Sequence, residues 1–196
     1  AYARAARRRG ATLREGVAVT GLVRDGARVT GVETTQGPIA AGVVVSAQNI
    51  WSRELALWTG VDVPLKLSRH AVMTLESATR YTSRLPVVMD WAPAGGIYFR
   101  CYGGRQVLVG DTGDGESIAA PDTEQAEVAL DHVADIGAKL ARRMPSFAEA
   151  GLAASWTGVY DVTPDWNPVL GPLPGIDGLQ VAFGFSGHGF KLSPMI

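Results

Sequence analysis

The sequence has little of what marks a metal protein, a disulfide scaffold or a membrane protein. A single cysteine, Cys101, stands among 196 residues, so no internal disulfide can form and no thiolate cluster exists. His70, His132 and His188 lie too far apart in sequence for a zinc-ligand spacing. No apolar run approaches the roughly 20 residues that a membrane span requires. Neither sign of charge dominates: 18 Lys+Arg against 19 Asp+Glu leave a net charge of −1, which gives no footing for a nucleic-acid partner. Internal repeats and low-complexity tracts are absent, which excludes a solenoid. A reducing compartment suits this cysteine usage, and the cytoplasm is the expected location. The chain opens at Ala1 without Met or a targeting signal and closes at Ile196 as a helix begins, so it reads as a piece of a longer polypeptide.

What is there is a core and one unusual loop. The composition, 46% hydrophobic and 19% charged, fits one large or two small globular domains. The apolar run Leu179–Phe183 reads as a buried strand, followed by Gly184-Phe185-Ser186-Gly187-His188-Gly189-Phe190-Lys191. Glycines at a strand end let backbone approach something flat or anionic. A helix starting near His188 would aim free N–H groups and a positive dipole end at the same place, with the Lys191 charge one turn on. The spacing is G-x-x-G-x-G, and it recurs at Gly110, Gly113 and Gly115, where Asp111, Asp114 and Glu116 make an acidic turn the better reading.

Taken in order, Ala1–Arg9 reads as a helix end closed by Gly10, its arginines solvated at the negative pole. Thr12–Arg14 reads as a short strand. Val17–Val23 and Arg28–Thr34 form a hairpin about Asp25-Gly26, and a turn at Gln36–Pro38 leads to Ile39 and Ala40. The continuous run Gly42–Ala47 predicts a strand buried on both faces. Ser52 is placed to cap a helix, Arg53–Thr59, ended by Gly60. After Pro64, strands are expected at 69–75, 85–90, 96–102 and 106–110, the last pair turning at Gly103-Gly104. Asp122 is expected to cap a helix running to Arg143, and 153–162 is apolar. The segments 163–168 and 171–175 are rich in turn residues.

The octapeptide 184–191 resembles the flavin-contacting segment near the C-terminus of the D-amino acid oxidase, sarcosine oxidase and glycine oxidase family of FAD enzymes. Two further stretches carry the resemblance: Val43–Ser52, and Gly158-Val159-Tyr160-Asp161-Val162-Thr163-Pro164-Asp165. The fold it implies is α/β with α+β character: a partial, Rossmann-like FAD-binding domain (1–66 and 153–196) with an antiparallel-sheet substrate domain (67–152) inserted. The family's pyrophosphate-binding strand–turn–helix with its glycine fingerprint is not in this sequence, so by itself the chain is expected to hold FAD weakly and to be inactive.

The resemblance implies cofactor contacts at Val19, Ala47, Trp51, Gly158, Gly184, Ser186, Gly187, His188, Gly189, Phe190 and Lys191. It implies non-covalent FAD, because the family position that bears an attached cysteine in monomeric sarcosine oxidases is Gly158. Where members carry Ala-Gly-Ala-Trp-Ser, this chain has Ala47-Gln48-Asn49-Ile50-Trp51-Ser52. The implied reaction oxidises the C–N bond of a small amino acid or N-methyl amino acid, with hydride passing to flavin N5. Oxygen or another redox carrier would accept the electrons. Leu108, aligned with a lysine that such oxidases need for oxygen, favours a dehydrogenase. Lys191 is implied as the grip on a substrate carboxylate, against a solvated lysine after a turn. Tyr160 stands where D-amino acid oxidases carry an arginine. Tyr98 and Arg100 are candidate substrate contacts or simply a half-exposed strand pair, and Trp51 is a cofactor contact or a core aromatic. Competing functions are a non-catalytic module with a degenerate flavin fold, and an FAD enzyme of this fold acting on a C–O bond.

Overall fold

The computed structural model describes residues 1–78, 80, 86–91, 95–121 and 126–196. In chain order the regular elements are α1 (Tyr2–Arg8), β1 (Val19–Asp25), β2 (Arg28–Thr34), β3 (Ile39–Ala40), β4 (Val44–Ser46), α2 (Glu54–Thr59), β5 (Lys66–Glu76), β6 (Val88–Asp90) and β7 (Ile97–Cys101). They continue with β8 (Gln106–Asp111), β9 (Glu116–Ile118), α3 (Leu130–Arg143), β10 (Gly151–Val162), β11 (Val169–Pro172), β12 (Leu179–Phe183) and α4 (Gly189–Leu192). The chain forms two compact units. The first comprises Ala1–Gln48, Ser52–Val63 and Pro168–Phe183; the second comprises Asn49–Trp51, Pro64–Asn167 and Gly184–Ile196.

In the first unit, α1 ends as its arginines and glycine dictate, with Gly10 at φ 91°. Gly26 (φ 59°) occupies the two-residue turn that pairs Asp25 with Arg28, and β3 completes the meander β1-β2-β3. A second sheet has the order β11-β12-β4, with β12 and β4 parallel. Asp177 and Gly178 stitch the sheets together: Val29 N–H donates to Asp177 O (2.8 Å) and Val44 N–H to Gly178 O (2.8 Å). A Cβ at Gly178 would stand 2.7 Å from Val29 O, so only glycine fits that approach.

Three expectations for this unit need correcting. Thr12–Arg14 is no strand; its residues are exposed and none pairs with a neighbour among the described residues. The run 42–47 is a strand only over Val44–Ser46, and it is not covered on both faces: Val45 is 66% exposed while Ser46 is buried. Its one partner among the described residues is β12, so β4 is an edge of its sheet. The Ser52 hydroxyl does not cap α2. The N-cap is Arg53, and Ser52 Oγ is buried without a hydrogen-bond partner among the described residues. Gly60, left-handed at φ 76°, closes α2 as expected.

The second unit is an antiparallel sheet of order β10-β5-β8-β7-β6, with β9 also pairing β5. Alternation sends Met73, Leu75, Ile97, Phe99, Val107 and Val109 to one face, where Ile136 and Leu140 of α3 and Phe147 join them. Arg143 ties the end of α3 to β6 through a two-pronged ion pair with Asp90 (2.5 and 3.0 Å). The helix starts at Leu130, later than expected. Residues 122–125, including the expected cap Asp122, and Leu85 of the expected strand lie outside the described residues. Ala126 N–H donates to Thr157 Oγ1 (3.1 Å), and Ala129 is extended (φ −58°, ψ 137°). That segment is bound to β10 instead of coiled. Leu140→Ala is expected to cost roughly 2–5 kcal/mol, because a fully buried side chain leaves a cavity; the midpoint of denaturant unfolding measures it.

Candidate active site

The face of the second unit's sheet turned away from α3 collects the chemistry. Gly158 of β10 pairs with His70 of β5, and Tyr160 pairs with Ser68. Tyr98 of β7 stands opposite Gly110 of β8, and Arg100 opposite Leu108. Directly paired residues share a face, so Tyr160, His70, Tyr98, Arg100 and Leu108 lie on one surface. The His70 and Tyr160 rings stack with centroids 4.1 Å apart and planes 19° from parallel. A hydrogen bond joins the Tyr98 and Tyr160 hydroxyls. Burial, and then its neighbour Tyr160, raise the Tyr98 pKa well above the usual tyrosine value. Burial also raises Tyr160, with the Tyr98 hydrogen bond pulling the other way. Both phenols therefore stay protonated at neutral pH.

His70 is held neutral. Burial lowers its pKa, against the nearby Asp111 and Asp114 charges that raise it. The Ser68 hydroxyl donates to the Asp114 carbonyl, so the 3.1 Å approach of Ser68 Oγ to His70 Nε2 is a donation from Nε2–H. Two of the three glycines of the first G-x-x-G-x-G have structural reasons. A Cβ at Gly110 would stand 2.6 Å from the Tyr98 hydroxyl, and one at Gly115 would stand 2.5 Å from Arg69 O.

The second glycine loop closes over the end of β10. Gly184 (φ 71°), Ser186 (φ 50°) and Gly187 (φ 79°) are all left-handed. A Cβ at Gly184 would fall on Thr163, and one at Gly187 would stand 2.5 Å from Tyr160 Cε2, so the loop backbone lies against the Tyr160 ring. Asp161, 3% exposed, accepts the Gly184 N–H at Oδ2 (2.5 Å), and its carbonyl accepts the Ser186 N–H (3.1 Å). The expected helix is a single turn, Gly189–Leu192, with His188 as N-cap. Gly187, His188, Phe190 and Lys191 are at least partly exposed, Phe190 at 96%.

The structure thus gathers Tyr160, Tyr98, Gly158 and the loop 184–189 in one unit, with Lys191 on the turn that follows. Trp51 belongs to the same unit, in the short 3-10 turn Asn49–Trp51 beside β10, and is 43% exposed. Arg100 sits at the rim, donating to Cys101 O (3.1 Å), its guanidinium 5.3 Å from the Tyr102 ring centre. Val19 and Ala47 are exposed and belong to the first unit. Sequence reasoning missed His70 and Asp161. His70 becomes visible only through its register with Gly158. Asp161 did carry a signal, a carboxylate between apolar Val159 and Val162 in a strand.

The residues present fit a large planar cofactor. A Cβ at Gly158 would meet open space, and the loop offers exposed backbone above Tyr160. In the first unit, Ser46 Oγ, Gln48 Oε1 and Ser52 Oγ are buried polar atoms with no partner among the described residues, donors and acceptors of the kind a bound ligand satisfies. Among the described residues no cluster of His, Cys, Asp and Glu is built to hold a metal ion, and no helix is long and apolar enough to cross a membrane.

A flavin-binding fold is what these features define, and comparison with known proteins bears it out. The chain belongs to the FAD-dependent oxidoreductase (DAO) family, matching it over residues 1–196. It is 29% identical to a glycine oxidase of Pseudomonas aeruginosa, covering 93% of this chain and 47% of that protein. It is 31% identical to the 4-methylaminobutanoate oxidase (formaldehyde-forming) of Paenarthrobacter nicotinovorans, covering 100% of this chain and 24% of that protein. Its fold matches the crystal structure of L-proline dehydrogenase from P. horikoshii with a TM-score of 0.82 at 26% identity, over 98% of this chain and 50% of that one. The chain spans about half the length, or less, of these relatives.

Proposed function

We propose that the protein bearing this chain oxidises the C–N bond of a small amino acid or N-methyl amino acid, with the loop 184–189 and Tyr160 forming the floor of its flavin site. The observation that carries this is the left-handed loop lying against Tyr160, with Gly158 open beside it. The names of the relatives, oxidases and dehydrogenases of amines and amino acids, support the substrate class. We assign 1–66 and 153–196 to an FAD-binding domain and 67–152 to a substrate domain, with Tyr160 and Lys191 reaching the substrate from the former. The cytoplasm is the assigned location, and oxygen or another redox carrier the electron acceptor.

FAD, when bound, supplies the hydride acceptor. The chain's own residues do the rest. The first N–H groups of the turn after His188 have no partners within the helix and offer hydrogen bonds to developing negative charge. Tyr98 and Tyr160 share one hydrogen bond; two hydroxyls carry two protons and one bond uses one of them, so the pair keeps a proton to orient a substrate oxygen. His70 stiffens Tyr160 by stacking and, being neutral, adds no charge against a cationic amine. Lys191 supplies the cation for a substrate carboxylate.

The test is a flavin spectrum of the full-length protein, followed by reduction with sarcosine, glycine, proline and a 2-hydroxy acid under anaerobic conditions. Bleaching by an amine and not by the hydroxy acid is expected. Bleaching by the hydroxy acid alone assigns C–O chemistry instead, and absence of flavin leaves a binding module. Acid or denaturant is expected to release the flavin, since Gly158 offers no nucleophile. Flavin that stays on the denatured polypeptide and maps to this chain refutes that.

A further inference from the structure

Asp161 is a carboxylate 3% exposed near the end of a long strand. Val162 follows it on β10, and across the ladder it pairs with Leu67, 1% exposed. No ion pair reaches it among the described residues. An uncompensated buried carboxylate is costly, and its partners here are backbone N–H groups, those of Gly184 and Phe185 besides its own. Those groups belong to the loop whose φ angles are least favourable for ordinary residues. Ser186, at φ 50°, is a non-glycine residue in the left-handed region, a conformation that persists only where the surroundings impose it. Its N–H is taken by the Asp161 carbonyl (3.1 Å), and its hydroxyl donates to Gly184 O (3.2 Å). The next residue back, Tyr160, points to the opposite face and receives Gly187 against its ring. One dipeptide thus grips the loop twice: Asp161 at its start by hydrogen bonds, Tyr160 at its crest by packing.

We propose that Asp161 is a positioning residue, which sets the shape of the 184–189 loop and through it the affinity for flavin. This rests on the reading of that loop as part of the flavin site. A purely structural aspartate would be expected to stabilise the fold. Burial instead raises the Asp161 pKa, with the backbone hydrogen bonds offsetting part of the rise. A raised folded-state pKa means that ionisation disfavours the folded chain: the stability it carries is full below the ordinary aspartate range and lost as pH rises through the raised value. Ionising this buried group is therefore a cost to folding, and the backbone hydrogen bonds from the loop offset part of it.

The experiment uses full-length protein carrying Asp161→Asn and Asp161→Ala. Three quantities are read: the flavin dissociation constant, the thermal midpoint of the apoprotein, and amide hydrogen exchange at Gly184, Phe185 and Ser186, with β7 and β8 as internal control. For Asp161→Asn, which keeps the shape and one acceptor oxygen, flavin affinity is expected to fall about 10- to 100-fold. Exchange at the three loop amides should accelerate about tenfold or more, with β7–β8 exchange unchanged and the apoprotein midpoint within a few degrees of wild type. Asp161→Ala should go further in the same direction. Unchanged loop exchange in either folded variant overturns the clamp. Faster loop exchange with unchanged flavin affinity overturns its role toward flavin. A lowered midpoint in both variants, with exchange faster throughout the sheet, makes Asp161 an ordinary core residue and also overturns the proposal. A wild-type full-length protein that takes up no flavin overturns instead the reading on which this rests.

Discussion

Lys191→Ala in the full-length protein is expected to lower kcat/KM for a carboxylate-bearing amine about 30- to 1,000-fold, because removing a charge-assisted hydrogen bond in a water-poor site leaves the substrate carboxylate unpaired. Lys191 is exposed in this chain, within a one-turn helix whose cap is His188. An exposed side chain adds little to the fold, and the apoprotein midpoint should not move. An amine lacking the carboxylate separates the possibilities: its turnover should fall much less. Equal losses on both substrates would assign Lys191 to the cofactor. No loss on either would make it a solvated surface residue.

Gly187→Ala is expected to remove most flavin binding, with a rise in dissociation constant of about tenfold or more. Its two penalties add at one atom. At φ 79° an alanine carries the left-handed cost of roughly 1–2 kcal/mol. Its Cβ would also stand 2.5 Å from Tyr160 Cε2, against a ring already stacked on His70 and bonded to Tyr98. Tyr160 cannot move without breaking both interactions, so the loop must lift. Pairing Gly187→Ala with Tyr160→Ala tests this: the smaller side chain should restore part of the flavin affinity. Equal affinity in the single variant and in wild type would show that the loop does not carry the cofactor.

The features legible in the sequence were those encoded over a few neighbouring residues. The hairpin at Asp25-Gly26, the Gly60 helix stop and the Gly103-Gly104 turn follow from backbone conformations that only certain residues adopt cheaply. Strand-forming runs at 69–75, 96–102 and 106–110, the last two joined at Gly103-Gly104, announced an antiparallel sheet. The family itself was readable because the octapeptide 184–191 is contiguous: a loop that must bend left-handed three times and stay thin needs its glycines in a fixed order.

Decided by the tertiary structure were the features that depend on which distant segment lies alongside. Register brings His70 to Gly158 and so lays an imidazole on Tyr160. The Asp161 carboxylate finds its partners only when the fold brings Gly184 to the end of β10. Residues 126–129 abandon helix because Thr157 offers a hydrogen bond. Val43 and Val45, apolar enough for burial on both faces, stand exposed at an edge strand with one neighbour among the described residues. In each case local propensity is worth about a few tenths to one kcal/mol per residue. A buried hydrogen bond or covered apolar side chain contributes about one to three, and the larger contribution chooses the conformation.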